Sequence, residues 1–263
     1  MGLAVAESLS RSGWRVSIVD LNENDGQAAA QKVGGIFTKA NVTVYEELAH
    51  AFGKTWKEYG RIDFVFANAG IVERASFYAK QEETADGLPP SPNMLASRVM
   101  FDGAIATVYL GLHFLRKNSP AGGSIIILAS SAGIYPAPNG PLYTASKHGM
   151  VGLTRALASR LWAENIHISC ICPGAVATGL MPAEAFQQMN QDTFTPLEKI
   201  ASVVQSLLER EEVTSGAAVE VVGQKHYLRW RPEFCDETME KCWDSFGGTS
   251  AIRDGGLTTN WKQ

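Results

Sequence analysis

Six short apolar runs limit what this chain can fold into. They are Arg15–Asp20 (RVSIVD), Ile36–Thr38, Ile62–Ala67 (IDFVFA), Ser124–Ala129 (SIIILA), Ile166–Cys172 and Val219–Val222. Stretches with helical spacing separate them. Helices are expected over residues 2–12, with Leu3, Ala6 and Leu9 on one face, over Gly26–Val33, and over about 44–58, 94–117, 142–164, 183–190 and 196–210. Strands apolar throughout are covered on both faces. Strands alternating with helices pair in parallel through right-handed crossovers. The expectation is therefore one doubly wound, Rossmann-like α/β sheet. Ligands bind such sheets beyond the carboxyl ends of the strands. Asp20, Asn68, Ser130 and Pro173-Gly174 all lie at such ends and converge on one rim.

Composition excludes several classes. With 45% apolar and 19% charged residues among 263, the chain can bury a large core and is not of disordered type. Lys and Arg number 23 against 27 Asp and Glu, a net charge of −4, which gives no reason to expect nucleic acid or an anionic membrane as partner. No run reaches the ~18 apolar residues of a membrane span. Glu7 interrupts the apolar core that a signal peptide would need. A cytoplasmic protein is expected. Cys170 and Cys172 stand i,i+2 in an apolar run, and Cys235 and Cys242 lie near the end. Without metal-ligand spacing they read as structural thiols, with no metal site. The expected domain covers residues 1–223. Residues 224–263 read as an aromatic, charged tail of little periodicity packing on that domain.

Tyr143-Thr144-Ala145-Ser146-Lys147 follows a Pro/Gly loop and opens the most regular helix. Tyr143 and Lys147 are i,i+4 and share a face. A nearby ammonium favours a phenolate and lowers its pKa from about 10. Such a tyrosine could exchange a proton with an alcohol or carbonyl. Ser130, at a strand end, could hydrogen-bond the same oxygen. YxxxK alone is a weak pattern, and a surface Tyr–Lys pair is its plain alternative.

These elements together resemble the short-chain dehydrogenase/reductase family. Asn68-Ala69-Gly70, Ser130 before Ala132-Gly133, Tyr143-x-Ala145-Ser146-Lys147 and Pro173-Gly174-x-Val176-x-Thr178 match it in order and spacing over residues 2 to about 223. The run YTASKHGMVGLTRALA is most similar to the 15-hydroxyprostaglandin dehydrogenase-like branch. The resemblance implies that Tyr143 is the acid/base, that Lys147 lowers its pKa and holds the nicotinamide ribose, and that Ser130, rather than Ser131, orients the substrate oxygen. It also implies that Asn68 lines the cofactor site and that Val176 and Thr178 contact the nicotinamide half. Asp20 closes the strand that reads the adenosine ribose. A carboxylate there accepts both ribose hydroxyls and repels a 2′-phosphate, which favours NAD over NADP. Capping the following helix is a compatible role for Asp20.

Three departures accompany the match. The family opens with a strand and a TGxxxGxG turn, whereas Gly2 stands at the last of those glycines, so an N-terminally truncated member is expected, first strand missing. The start of the first helix still offers N–H groups to an anion. Met100 stands where the family has an active-site Asn, and Asn41 replaces the Asp beside the adenine. Leu180, Met181, Phe186, Met189 and Phe194 would form an apolar lid over the substrate, or pack as ordinary core. The expected function is oxidoreduction between a secondary alcohol and a ketone on a small hydrophobic substrate, in a homodimer or homotetramer. The second reading, prompted by the departures, is a catalytically impaired relative acting as a binding or assembly subunit.

Overall fold

The computed structural model describes residues 1–74, 76–180, 190–209 and 215–246. In chain order the elements are α1 (Gly2–Arg11), β1 (Ser17–Asp20), α2 (Glu23–Lys32), β2 (Ile36–Lys39), α3 (Tyr45–Tyr59), β3 (Phe64–Ala67), the single turn α4 (Leu95–Ser97), a π turn (Arg98–Asp102), α5 (Gly103–Lys117), β4 (Gly123–Leu128), a 3-10 turn (Ser131–Gly133), α6 (Pro141–Leu161), β5 (Ile166–Pro173), α7 (Leu197–Glu209), β6 (Ala218–Val222), β7 (Lys225–Arg229) and α8 (Glu237–Ser245).

The chain forms the expected doubly wound sheet. β3, β4, β5 and β6 run parallel in that order, and β7 adds an antiparallel edge. β4, buried at every residue, shows the two-sided cover directly. Its Ile125 and Ile127 face one core with Val108 and Leu115 of α5 and Met150 of α6. Ile126 and Leu128 face the other, with Val5 and Leu9 of α1 and Ile200 and Val204 of α7. That is the period-two geometry of a strand between two helical layers. Asn118 ties the entries of β3 and β4 together. It accepts from the Ile62 N–H at 3.2 Å and donates to the carbonyls of Ile62 and Gly122 at 2.6 and 3.0 Å. β1 and β2 form a separate parallel pair.

Three features differ from the sequence expectation. The stretch read as one helix over about 94–117 is broken by the π turn, which carries Met100 into the core. Leu95–Lys117 also has the length and hydropathy of a membrane span, although nearly half of its apolar window is buried in the core. The stretch read as an aperiodic tail contains β7 and α8. β7 is an exposed edge whose Lys and Arg ends blunt further pairing, so it lacks an alternating apolar signal. α8 buries no side chain and is set by its cap, Asp236, which accepts from the Met239 N–H at 2.8 Å. The helix expected near 183–190 lies almost wholly outside the described residues.

Candidate active site

The site is assembled where β4 ends and α6 begins. Ser130 leaves β4 in an extended conformation, and its Oγ accepts the Ala132 N–H at 3.1 Å, which starts the 3-10 turn. Gly133 closes that turn against α6. A Cβ there would stand 2.7 Å from the Lys147 carbonyl oxygen. Only glycine permits this backbone contact, and it sets Ser130 opposite Tyr143. α6 starts on Pro141 at its first position, where a missing N–H costs nothing. Gly149, about two turns on, gives room for Phe101 of the π turn, whose ring a Cβ would meet at 2.6 Å.

Ser130, Tyr143 and Lys147 are brought together. The Ser130 side chain hydrogen-bonds Tyr143. Lys147 is 3% exposed, its ammonium lies 5.5 Å from the Tyr143 ring centre, and it donates to the Leu128 carbonyl at 2.8 Å. The expectation that Lys147 lowers the Tyr143 pKa is corrected. Burial raises the phenol above its ordinary value. The Ser130 hydrogen bond pulls it back, and Cys172 pushes it further up. Lys147 itself is lowered to about 8 by burial, against smaller opposing effects of Cys172 and Cys170. At a separation of 5.5 Å from the ring centre, desolvation outweighs the attraction that sequence spacing suggested. Cys170 and Cys172 are buried free thiols, and Cys235 and Cys242 are exposed.

Asn68 follows β3, and its side-chain oxygen is buried without a partner. Gly2 presses against it, since a Cβ at residue 2 would stand 2.9 Å from the Asn68 amide nitrogen. Met100 packs over Gly70, whose added Cβ would meet its Cγ at an ordinary 3.6 Å. The π turn around Met100 is a distortion of a kind frequent at functional sites. Asp20 is exposed at the end of β1, with Oδ1 accepting the Asn22 N–H at 2.9 Å. The cap of α2 is Asn22, which accepts from the Asp25 N–H, so Asp20 does not fill that role. Asn41 spends its oxygen locally, accepting from the Thr43 N–H at 3.0 Å and hydroxyl at 2.8 Å. Val176 is buried, and Thr178 is half-buried and accepts from the Leu180 N–H. Of the expected lid, Met181, Phe186 and Met189 fall outside the described residues. Among the described residues no cluster of His, Cys, Asp and Glu could hold a metal ion.

Glu73 was missed by the sequence reading. Its carboxylate accepts the Tyr143 N–H at 2.8 Å, and its other oxygen is buried without a partner. Seventy residues separate the two, and no local pattern announces the contact.

The donor set fits a nicotinamide dinucleotide at the two ends of such a cofactor. Asn68 offers an orphaned polar atom, Lys147 a desolvated ammonium, and Asp20 a carboxylate with one oxygen pinned by its own turn.

Comparison with known proteins agrees with this geometry. The family model for short chain dehydrogenase matches residues 1–189. The chain is 35% identical to short-chain dehydrogenase/reductase prx7 of Penicillium rubens, with 93% of this chain and 95% of that protein covered. It is 32% identical to human 15-hydroxyprostaglandin dehydrogenase [NAD(+)], over 73% of this chain and 70% of that protein. In structure it is similar to levodione reductase, with a TM-score of 0.71 at 27% identity, covering 84% of this chain and 92% of that one.

Proposed function

The chain belongs to the short-chain dehydrogenase/reductase family, a family of oxidoreductases, and from that premise we propose that it interconverts a secondary alcohol and a ketone on a small hydrophobic substrate, using NAD. The observation that carries this reading is the buried Lys147 beneath Tyr143, with Ser130 hydrogen-bonded to the same tyrosine. In the ketone-to-alcohol direction the Tyr143 hydroxyl gives its proton to the carbonyl oxygen. In the reverse direction it receives the alcohol proton. The Ser130 hydroxyl donates to the substrate oxygen and fixes its position, with its turn anchored by the Ala132 N–H. The Lys147 ammonium, anchored on the Leu128 carbonyl, would hold a ribose hydroxyl. A bound nicotinamide supplies or takes the hydride. Asp20 would accept the adenosine ribose hydroxyls, Asn41 would sit beside the adenine, and Asn68, Val176 and Thr178 would line the nicotinamide half. The NAD(+) in the name of the human relative supports NAD, and Asp20 supports it independently. The same proposal includes a cytoplasmic homo-oligomer.

The test is NADH consumption with a panel of apolar ketones. Activity that survives unchanged in Tyr143→Phe would sink the assignment. A second reading, a catalytically impaired binding subunit, is favoured by Met100 in the core. Calorimetric titration with NADH separates the two, because micromolar binding counts against the second.

A further inference from the structure

The segment that joins Ser130 to Tyr143 is fastened near both ends by its own short-range bonds. The Tyr135 N–H donates to the Ser131 carbonyl at 2.8 Å, and the Ala137 N–H donates to Oγ1 of Thr144 at 3.1 Å. Between them the side chain of Tyr135 leaves the segment and meets the last two strands of the sheet. Its hydroxyl donates to Glu220 Oε2 of β6 at 3.2 Å and accepts from Arg229 Nη2 of β7 at 2.7 Å. Arg229 also donates from Nε to the same Glu220 oxygen, and its guanidinium carbon lies 6.0 Å from the Tyr135 ring centre. The main chain at Arg229 is held in turn. Arg155 of α6 donates to the carbonyls of Arg229 and Trp230 at 3.0 and 2.9 Å.

The energetics of this cluster favour a positioning role over a stabilising one. Glu220 is 8% exposed. A carboxylate withdrawn from water to that degree loses hydration, and an ion pair there offsets the loss with little net gain. Charge-assisted hydrogen bonds are directional, so what the cluster gains is a fixed geometry. The place it fixes is the rim of the site. Glu220 stands in register with Cys172 of the neighbouring strand β5, and the Ser130 main chain hydrogen-bonds the Cys172 sulfur. Adjacent strands lie about 4.8 Å apart, so the Tyr135 hydroxyl is anchored one strand away from the Ser130 turn. Tyr135 remains 45% exposed there. Aromatic faces of this kind line the pockets that take apolar ligands.

We propose that Arg229 is a positioning residue. With Glu220 it clamps Tyr135, and through it the segment between Ser130 and Tyr143, so that the Tyr135 ring forms one wall of the substrate site. The wall rests on the alcohol–ketone reading, whereas the clamp on the segment stands without it. When the clamp is lost, Ser130 keeps its bond to the Ala132 N–H and Tyr143 its place in α6. The effect therefore falls on substrate binding before it falls on the proton step.

The test uses the full chain in two measurements. Residue-resolved hydrogen exchange without ligands reads the clamp. In Arg229→Ala the amides of Tyr135 and Ala137 should exchange about tenfold faster, while Arg229→Lys, which keeps a donor, should restore part of the protection. Steady-state reduction of acetophenone and cyclohexanone with NADH reads the wall. Arg229→Ala should raise the ketone KM about tenfold, with a smaller change in kcat and an unchanged calorimetric affinity for NADH. Tyr135→Phe keeps the ring and removes only the hydroxyl. It should reproduce both effects and add little in combination with Arg229→Ala, because the two substitutions break one tie. Unchanged exchange, fully additive effects or an unchanged ketone KM would each overturn the proposal. Absence of turnover in the unsubstituted chain would instead overturn the alcohol–ketone reading and the wall with it, and the exchange rates would then decide the clamp by themselves. Tyr135→Phe leaves Glu220 paired with Arg229, so the test stays decisive should Arg229→Ala not fold.

Discussion

Lys147 donates from Nζ to the Leu128 carbonyl at 2.8 Å, so the charged group of the site is anchored to the last residue of β4. That carbonyl is the ammonium's compensation for burial, and it is incomplete, because the lysine is lowered to about 8 from 10.5.

A lysine less easily protonated when folded destabilises the fold while it is charged. The cost is full below about pH 8 and fades as pH rises from about 8 to 10.5. At about 1.4 kcal/mol per unit it amounts to about 3 kcal/mol, partly offset in any variant by an orphaned Leu128 carbonyl worth about 1–2 kcal/mol. Lys147→Met is therefore expected to raise stability by about 1–2 kcal/mol at pH 7 while reducing turnover. The gain should vanish above about pH 10.5. Urea unfolding at pH 7 and pH 10.5 checks both the sign and the window.

Tyr143 keeps its proton at neutral pH, because burial raises its pKa. Ketone reduction, which needs the proton, should therefore hold its rate through neutral pH, and alcohol oxidation should rise with pH. Tyr143→Phe removes the proton and should cost about 10²- to 10⁴-fold in kcat, with the fold intact by circular dichroism. Initial rates in both directions across pH 6–10 decide the matter.

The alternation of apolar runs and helices was enough to read the doubly wound sheet, because two-sided burial is written into Gly123–Leu128 residue by residue. Ser130, Tyr143 and Lys147 were legible because short segments fix their spacing. What was not legible depended on surroundings rather than pattern. The balance of desolvation and attraction that sets Tyr143 and Lys147 cannot be read from i,i+4 spacing. The contact of Glu73 with Tyr143 joins segments seventy residues apart. β7 and α8 carry few buried side chains and so leave no periodic trace.

Glu73 accepts the Tyr143 N–H within the first turn of α6, where no intrahelical partner is available. Its carboxylate also opposes the positive end of that helix. Glu73→Ala should cost about 1 kcal/mol and loosen Tyr143, lowering kcat. Glu73→Gln keeps an acceptor and should lose less on both counts. Thermal melts of the two variants beside their kcat values test the ranking. Equal effects would remove the hydrogen bond as the cause.

Gly133 decides how closely the Ser130 turn approaches α6. A methyl group at this position would stand 2.7 Å from the Lys147 carbonyl oxygen and 3.0 Å from its carbon. Both are main-chain atoms of a 21-residue helix and cannot swing aside as a side chain would. Gly133→Ala must therefore push the turn away from the helix and carry Ser130 from Tyr143. Overpacking of this kind costs about 1–3 kcal/mol. A shift of about 1 Å in a reacting group costs about 100-fold in rate. The expected signature is a fall in kcat larger than the change in NADH affinity, because Asp20 and Asn68 stand on other strands. Unchanged kcat with lowered stability would show that the turn relaxes without moving Ser130. Steady-state kinetics paired with NADH calorimetry reads both quantities from one preparation.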